Sequence, residues 1–324
     1  MIEIVSTLPL NTIQDGGRLG ARHYGVSTSG VMDALAFEAA NILLDNPGNA
    51  AVIEVQTFPF EVRFLADSAF AVTGCDAQAL LDGRAIPPWW ATHARRGQSL
   101  TLRPPRRGTR AYIALAGGVD VPVVLGSRST HLRSGFGGFE GRALRPGDVV
   151  NCLSGGQVPE GGRGLLPPDI AIEGQAGGAV AQTLHLRVLR AGDYDVFPPD
   201  IQQRFWSTEW RISRHSDRAG YRLSGPPLQL PKPVELRSYG LVAGIIQVPP
   251  SGEPIIQLSD ANTAGGYPKI AAVIDADLWS LAQARLGSMI RFVEVSHAEA
   301  IEAMAPLDAY LASARRMVEL HRML

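Results

Sequence analysis

Cysteine is nearly absent from this sequence: Cys75 and Cys152 are the only two in 324 residues. Two are too few for a disulfide scaffold and sit at no zinc-type spacing, which points to a reducing compartment such as the cytoplasm. Lysine is equally scarce, with Lys232 and Lys269 alone among 30 basic residues, so each stands out in any motif that contains it. Net charge is close to nothing, −1 at pH 7 with a pI near 6.7, and this leaves no electrostatic footprint for nucleic acid. The densest basic stretch, Arg95 to Arg107, is broken by Gly97, Pro104 and Pro105 and reads as an exposed hairpin. No apolar run reaches the roughly 18 residues of a membrane span. Met1 to Leu10 carries Glu3 and lacks both a basic start and a long apolar stretch, unlike a secretory signal. The absence of any Gly-Lys dipeptide excludes a Walker-type phosphate loop, and neither a Gly-x-Ser-x-Gly elbow nor a His-Glu-x-x-His helix occurs. His23, His93, His131 and His215 are too scattered for metal-ligand spacing.

Glycine and proline are abundant, 35 and 23 residues, and they punctuate short apolar runs in the manner of a mainly β protein. The runs Ala51 to Val55, Phe60 to Phe64, Ala69 to Thr73, Gln98 to Leu102 and Ala111 to Leu115 read as strands. Asp82-Gly83 is a hairpin turn, because both residues tolerate positive φ. A helix is predicted over Val31 to Leu44, ended by Asn46-Pro47-Gly48. The Gly/Pro-rich stretch 154–182 reads as a linker between domains 1–153 and 183–324. The second domain opens on an alternating strand, Leu184 to Leu189, followed by a short helix at Pro198 to Trp206. It closes on helical stretches at Asp277 to Leu281 and His297 to Leu324, the latter as one or two helices with Pro306 in the first turn of the second. A weak echo links Arg18-Leu19-Gly20 to Arg218-Ala219-Gly220, as two duplicated domains of one fold would.

Three polar clusters among glycines carry the functional signal. The first runs from Gln14-Asp15-Gly16-Gly17-Arg18 through Ser29, Asp33 and Asn41. It reads either as a polar substrate site or as a salt-bridged turn followed by a helix cap. The second, Ser216 to Pro226, brings Arg218 and Tyr221 together with Asp217, suited to carboxylate or phosphate recognition or to a structural ion pair. The third runs from Gln247 to Lys269. The apolar strand Ile255 to Leu258 delivers Asp260, Asn262, Thr263, Gly265, Gly266, Tyr267 and Lys269 into one loop, and a strand resumes at Ile270 to Ile274. Loops dense in amides, hydroxyls and charge between buried strands are where binding and catalysis concentrate. Gly265 and Gly266 offer backbone N–H groups to an anion, Lys269 a positive charge, and Asp260 a base or a partner for Lys269. The competing reading is a turn held by Asp and Asn side chains. Cys75, straight after an apolar strand, reads as a structural thiol.

Taken together, Thr12 to Gly30 with Met32-Asp33 and Asn41, Val72-Thr73-Gly74, Ser216 to Leu223 and Val248 to Ala271 resemble the family of the second allophanate hydrolase subunit, KipA and the C subunit of 5-oxoprolinase, also called the biotin-dependent carboxyltransferase family. The resemblance implies a mainly β fold of two tandem cyclophilin-like β-barrel domains with a few helices. It implies a component of an ATP-dependent amidohydrolase that opens 5-oxoproline to glutamate together with two partner subunits, one KipI-like and one LamB/YcsF-like. ATP with magnesium is the implied cofactor, its site not located in this chain. In that reading Asp260, Lys269, Gly265 and Gly266 are catalytic, with Asn262, Thr263, Tyr267, Arg218, Tyr221, Gln247, Asp15, Arg18, Ser29, Asp33 and Asn41 around the substrate. The alternatives are a urea-carboxylase-like carboxyl transfer, in which carboxybiotin arrives on another protein because no Met-Lys-Met site is present, and a KipA-like regulatory module. The family pattern has alanine where Val31 and Cys75 stand, glutamine at Asn262 and often threonine at Ala264, which bears on the substrate.

Overall fold

The structure is a computed structural model that describes residues 1–156, 158–168, 183–232, 234 and 236–323. Much of the stretch expected as a linker, 154–182, lies outside the described residues. The chain forms two compact units: Met1–Arg18 with Ser29–Gly177 and Pro306–Leu324, and Leu19–Thr28 with Gly178–Ala305. No helix of the described residues is long and apolar enough to cross a membrane.

The first unit is built from two sheets. One has seven strands in the order Val119–Asp120, Val149–Cys152, Ile2–Ser6, Phe60–Phe64, Ser99–Leu102, Leu80–Leu81 and Arg84–Ala85. The other has six: Arg163–Gly164, Trp90–Ala94, Ser68–Gly74, Ala111–Leu115, Val52–Val55 and Thr12–Gln14. Both contribute to a single core. Ile2, Ile4, Phe60, Val62 and Phe64 meet Ile53, Phe70, Val72, Ile113 and Leu115 there, with Cys75 among them. Strand Ala111–Leu115 is buried at every residue because helix Ala34–Leu44 packs on the side away from this core. Thr73 on the neighbouring strand donates its hydroxyl to Ala36 O at 2.7 Å. The helix starts later than its apolar pattern implies, because Asp33 caps it by accepting from Ala36 N at 2.9 Å. The Asp82-Gly83 turn forms as expected, with φ of 47° and 76° between Leu80–Leu81 and Arg84–Ala85.

The second unit is a closed seven-strand barrel, in the order Leu184–Arg190, Lys269–Val273, Ile245–Gln247, Ile255–Gln257, Gly220–Ser224, Trp210–Ile212 and Met289–Glu294. A parallel pairing of Met289–Glu294 with Leu184–Arg190 closes it. Leu186, Val188, Trp210, Leu223, Ile246, Ile256, Ile290 and Phe292 are buried. Phe205, from helix Pro199–Ser207, stacks on Phe292 at 4.7 Å between centroids.

The C-terminal helices divide at Pro306 as the sequence indicates, into His297–Glu302 and Ala305–Met323. The longer one goes with the first unit, although chain order would put it with the second. Its anchors explain this: the Tyr310 hydroxyl donates to Leu166 O at 2.8 Å, its ring meets Trp89 edge-on at 6.2 Å, and Arg315 pairs with Glu38 at 3.1 Å.

Candidate functional site

The barrel register separates what the sequence groups. Gln247 pairs with Lys269 and with Ile255, which sets Lys269 at the beginning of strands Lys269–Val273 and Ile255–Gln257. Gly220 pairs with Gln257, and Leu258 N and Asp260 N bond to Ala219 O and Arg218 O at 3.0 and 2.9 Å. Asp260 and Arg218 therefore lie beyond the other end of those strands. The loop between them crosses from one end to the other, so Asp260 and Lys269 do not pair, contrary to one sequence reading. Asp260 instead takes a two-pronged ion pair from Arg218, Nε to Oδ2 at 2.9 Å and an Nη to Oδ1 at 3.3 Å. Held in that fork, Asp260 anchors the loop and lies away from Lys269.

Lys269 is the most enclosed charge of the third cluster, 1% exposed. Its Nζ donates to Gly265 O at 2.7 Å and lies 3.2 Å from the centroid of the Tyr239 ring. A short two-stranded ladder missed from sequence brings these together: Ala264–Gly265 pairs with Tyr239–Gly240 in the middle of what reads as one loop. Behind the ring, the Tyr239 hydroxyl donates to Asp193 Oδ2 at 2.5 Å, and the same oxygen accepts the Lys269 backbone N–H at 3.0 Å. Burial pushes the Lys269 ammonium below the usual lysine range, and the Asp193 charge opposes that shift. Burial, then the Asp193 hydrogen bond and charge, raise the Tyr239 phenol well above the usual tyrosine range. Among the described residues no carboxylate forms an ion pair with Lys269 Nζ. An ammonium has three donors, and among the described residues only one is taken by a protein oxygen.

The Gly265 carbonyl accepts from the Lys269 ammonium. Neither glycine needs left-handed backbone; what each needs is room. A Cβ at 265 would come within 2.8 Å of Gln247 Nε2, and one at 266 within 2.9 Å of Leu236 O. The first obstacle is the end of a side chain, the second is backbone. Gly266→Ala should therefore displace the loop and lower stability by about 1–3 kcal/mol, seen as a lower urea midpoint at unchanged slope. Gln247, itself buried, donates to Tyr267 O at 3.3 Å and braces the same segment. Asn262 and Tyr267 are exposed and Thr263 is half-buried. Tyr221 is not at the site: it is 1% exposed and, on the same side of its strand as buried Leu223, fills the barrel.

In the first unit the candidates are absorbed by structure. Asp15 Oδ1 accepts from Gly17 N at 2.9 Å and from the hydroxyls of Ser127 and Ser129 at 2.6 Å each, while Oδ2 accepts from Arg128 N at 2.6 Å. Arg18, fully buried, donates to Val124 O and Ser129 O, with its guanidinium 4.8 Å from the centre of the Phe136 ring. Asp33 is the helix cap, and Asn41 holds Ala50 O at 2.9 Å. Ser29 and Gly30 turn the chain with φ of 53° and 86°. Gly30 passes so close to Gly17 that a Cβ would lie 2.9 Å from its Cα. Glu54, fully buried in an apolar strand, accepts from Met32 N and the Tyr112 hydroxyl, each at 2.9 Å. Burial, then the charges of Glu54 and Asp33, push the Tyr112 phenol far up.

Sequence reading missed Asp193, Tyr239, Glu54, Ser127 and Ser129. Two signals were there: Gly192-Asp193 directly follows a strand, and Glu54 is a lone carboxylate inside Val-Ile-Glu-Val.

A two-unit β protein with this pattern of buried polar loops has known counterparts. The chain belongs to the family of the carboxyltransferase domain, subdomains A and B, whose model matches residues 24–294. It is 40% identical to the C subunit of 5-oxoprolinase from Escherichia coli (strain K12) over 310 residues, covering 96% of both proteins. It is also 40% identical to that of Haemophilus influenzae over 319 residues, covering 98% of this chain and 99% of the relative. Its fold matches the crystal structure of the K. lactis urea amidolyase with a TM-score of 0.84 at 27% identity, covering 97% of this chain but 20% of the larger one.

Proposed function

We propose that the chain is the C subunit of an ATP-dependent amidohydrolase that opens a cyclic amide of the 5-oxoproline type to the amino acid, in complex with KipI-like and LamB/YcsF-like partner subunits. The observation that carries this reading is the buried Lys269 ammonium, with no carboxylate partner among the described residues, in a chain so similar along its whole length to two 5-oxoprolinase C subunits. A buried charge without a counter-ion is costly unless something else neutralises it, and an anionic substrate oxygen is the natural candidate. A lactam is a poor electrophile, and phosphorylation of its oxygen is the chemistry ATP supplies when bound. The chain has no Walker-type loop, so the nucleotide and its magnesium are assigned to a partner. Lys269 would hold the anionic oxygens carried on the activated carbonyl while water adds at its carbon and the ring C–N bond breaks, the amine leaving with a proton, and the Gly265–Tyr267 loop would shape the pocket wall.

The urea amidolyase likeness supports a second reading, carboxyl transfer from biotin carried on another protein, in which the same ammonium faces a carboxylate oxygen. Co-expression with the two partner subunits separates them. The first reading expects 5-oxoproline-dependent ATP hydrolysis with stoichiometric glutamate release; a folded complex that shows neither, yet carboxylates an amide when given carboxybiotin, establishes the second.

A further inference from the structure

We infer that Tyr239, with Asp193 behind it, positions the Lys269 ammonium and keeps it charged. The catalytic consequence of this inference rests on the proposed function; the positioning rests on geometry alone.

Three contacts converge on Lys269. Its Nζ sits 3.2 Å from the Tyr239 ring centroid, close enough for a strong cation–π contact. The Gly265 carbonyl, brought opposite by the Tyr239–Gly265 pairing, fixes a second direction at 2.7 Å. Asp193 Oδ2 ties the ring to the lysine's own backbone, taking the Tyr239 hydroxyl at 2.5 Å and Lys269 N at 3.0 Å. A phenol that donates to a carboxylate carries more electron density over its ring, which strengthens the hold on a cation. Asp193 thus acts on Lys269 through the ring and through space without forming an ion pair with it. The arrangement leaves an N–H of the ammonium for a ligand. A direct carboxylate contact would occupy that direction and compete with an anionic substrate. Asp193, from the turn after Leu184–Arg190, and Tyr239, from the strand opposite Gly265, are the titratable groups acting on Lys269.

The two-lysine composition makes the test direct. In the full chain, with lysine 13C-labelled at Cε, NMR reports one resonance for Lys269 and one for exposed Lys232, an internal reference. In the wild type Lys269 is expected to titrate below the usual lysine range. Tyr239→Leu should lower the Lys269 midpoint by about one pH unit, a tenfold change in proton affinity. Tyr239→Phe should lower it by less, and Asp193→Asn should also lower it, while Lys232 does not move. An unchanged midpoint in folded Tyr239→Leu overturns the inference. An upward shift does so too, since the ring would then act only by covering the lysine. Should Tyr239→Leu fail to fold, Tyr239→Phe decides: it keeps the ring and removes only the hydroxyl bound to Asp193, so an unchanged Lys269 midpoint overturns the role of that contact. In the assembled complex, Tyr239→Leu should lower kcat and move the alkaline limb of its pH profile down by the same interval, with partial rescue by Tyr239→Phe. A shifted midpoint without loss of turnover supports the positioning and removes Lys269 from the proposed reaction.

Discussion

Lys269→Met is expected to lower turnover of the assembled complex by about 100- to 1,000-fold, the range for losing one electrostatic contact to a developing oxyanion. The isolated chain should keep its unfolding midpoint. Methionine has nearly the length and flexibility of lysine and fills the space over Tyr239. It removes a charge that is 1% exposed and has no carboxylate partner among the described residues. Against this stands the loss of one hydrogen bond to Gly265 O, worth about 1 kcal/mol. The desolvation cost that disappears is of similar or larger size, so the balance is neutral or slightly stabilising. Lys269→Arg makes the complementary test. It keeps the charge, but a planar guanidinium cannot hold both the carbonyl and the ring face in the same geometry, so it should recover only part of the lost rate. Steady-state turnover and a urea titration on the same preparations check both halves. Wild-type turnover in folded Lys269→Met removes Lys269 from the chemistry. A collapsed midpoint shows instead that its role is structural.

Much of the architecture was legible in the residues because local signals and tertiary structure agree. Phe60–Phe64 and Ala111–Leu115 occupy the predicted bounds, and Asp82-Gly83 turns where its tolerance of positive φ allows. Pro306 marks the helix break. What stayed hidden depends on register. The residues Ser259 to Lys269 share one stretch of sequence, yet short strands place Asp260 and Lys269 at opposite ends of the barrel pairing. No local pattern encodes that. Tyr239 and Asp193 lie 30 and 76 residues before Lys269 in sequence, and only the pairing of strand Leu184–Arg190 with Lys269–Val273 and of Tyr239–Gly240 with Ala264–Gly265 brings them to it. For the first cluster the residue types alone cannot tell a ligand site from a buried brace, because both need a carboxylate surrounded by donors. The acceptor inventory decides: Asp15 has donors on both oxygens from within its own unit.

That inventory also predicts the largest stability effect. Asp15→Ala is expected to destabilise the first unit by about 3–5 kcal/mol, an exceptional value for one substitution. The side chain is 2% exposed and ties the end of strand Thr12–Gln14 to a segment more than 110 residues away, through Ser127, Arg128 and Ser129. Removing it leaves four donors without their acceptor. The two hydroxyls can rotate toward other oxygens. The backbone N–H groups of Gly17 and Arg128 cannot, and each unsatisfied buried donor costs about 1–3 kcal/mol. Asp15→Asn should rescue little. An amide keeps an acceptor for one side but turns its NH2 toward the backbone N–H of either Gly17 or Arg128, donors that cannot rotate away. Urea unfolding followed by circular dichroism, with the slope checked for constancy, reads the loss directly. The same pair of variants tests the competing view of Asp15 as a substrate ligand. If the structural assignment holds, activity of the complex falls with the folded fraction and the KM of the surviving enzyme stays put. A wild-type midpoint combined with a raised KM would return Asp15 to the binding site.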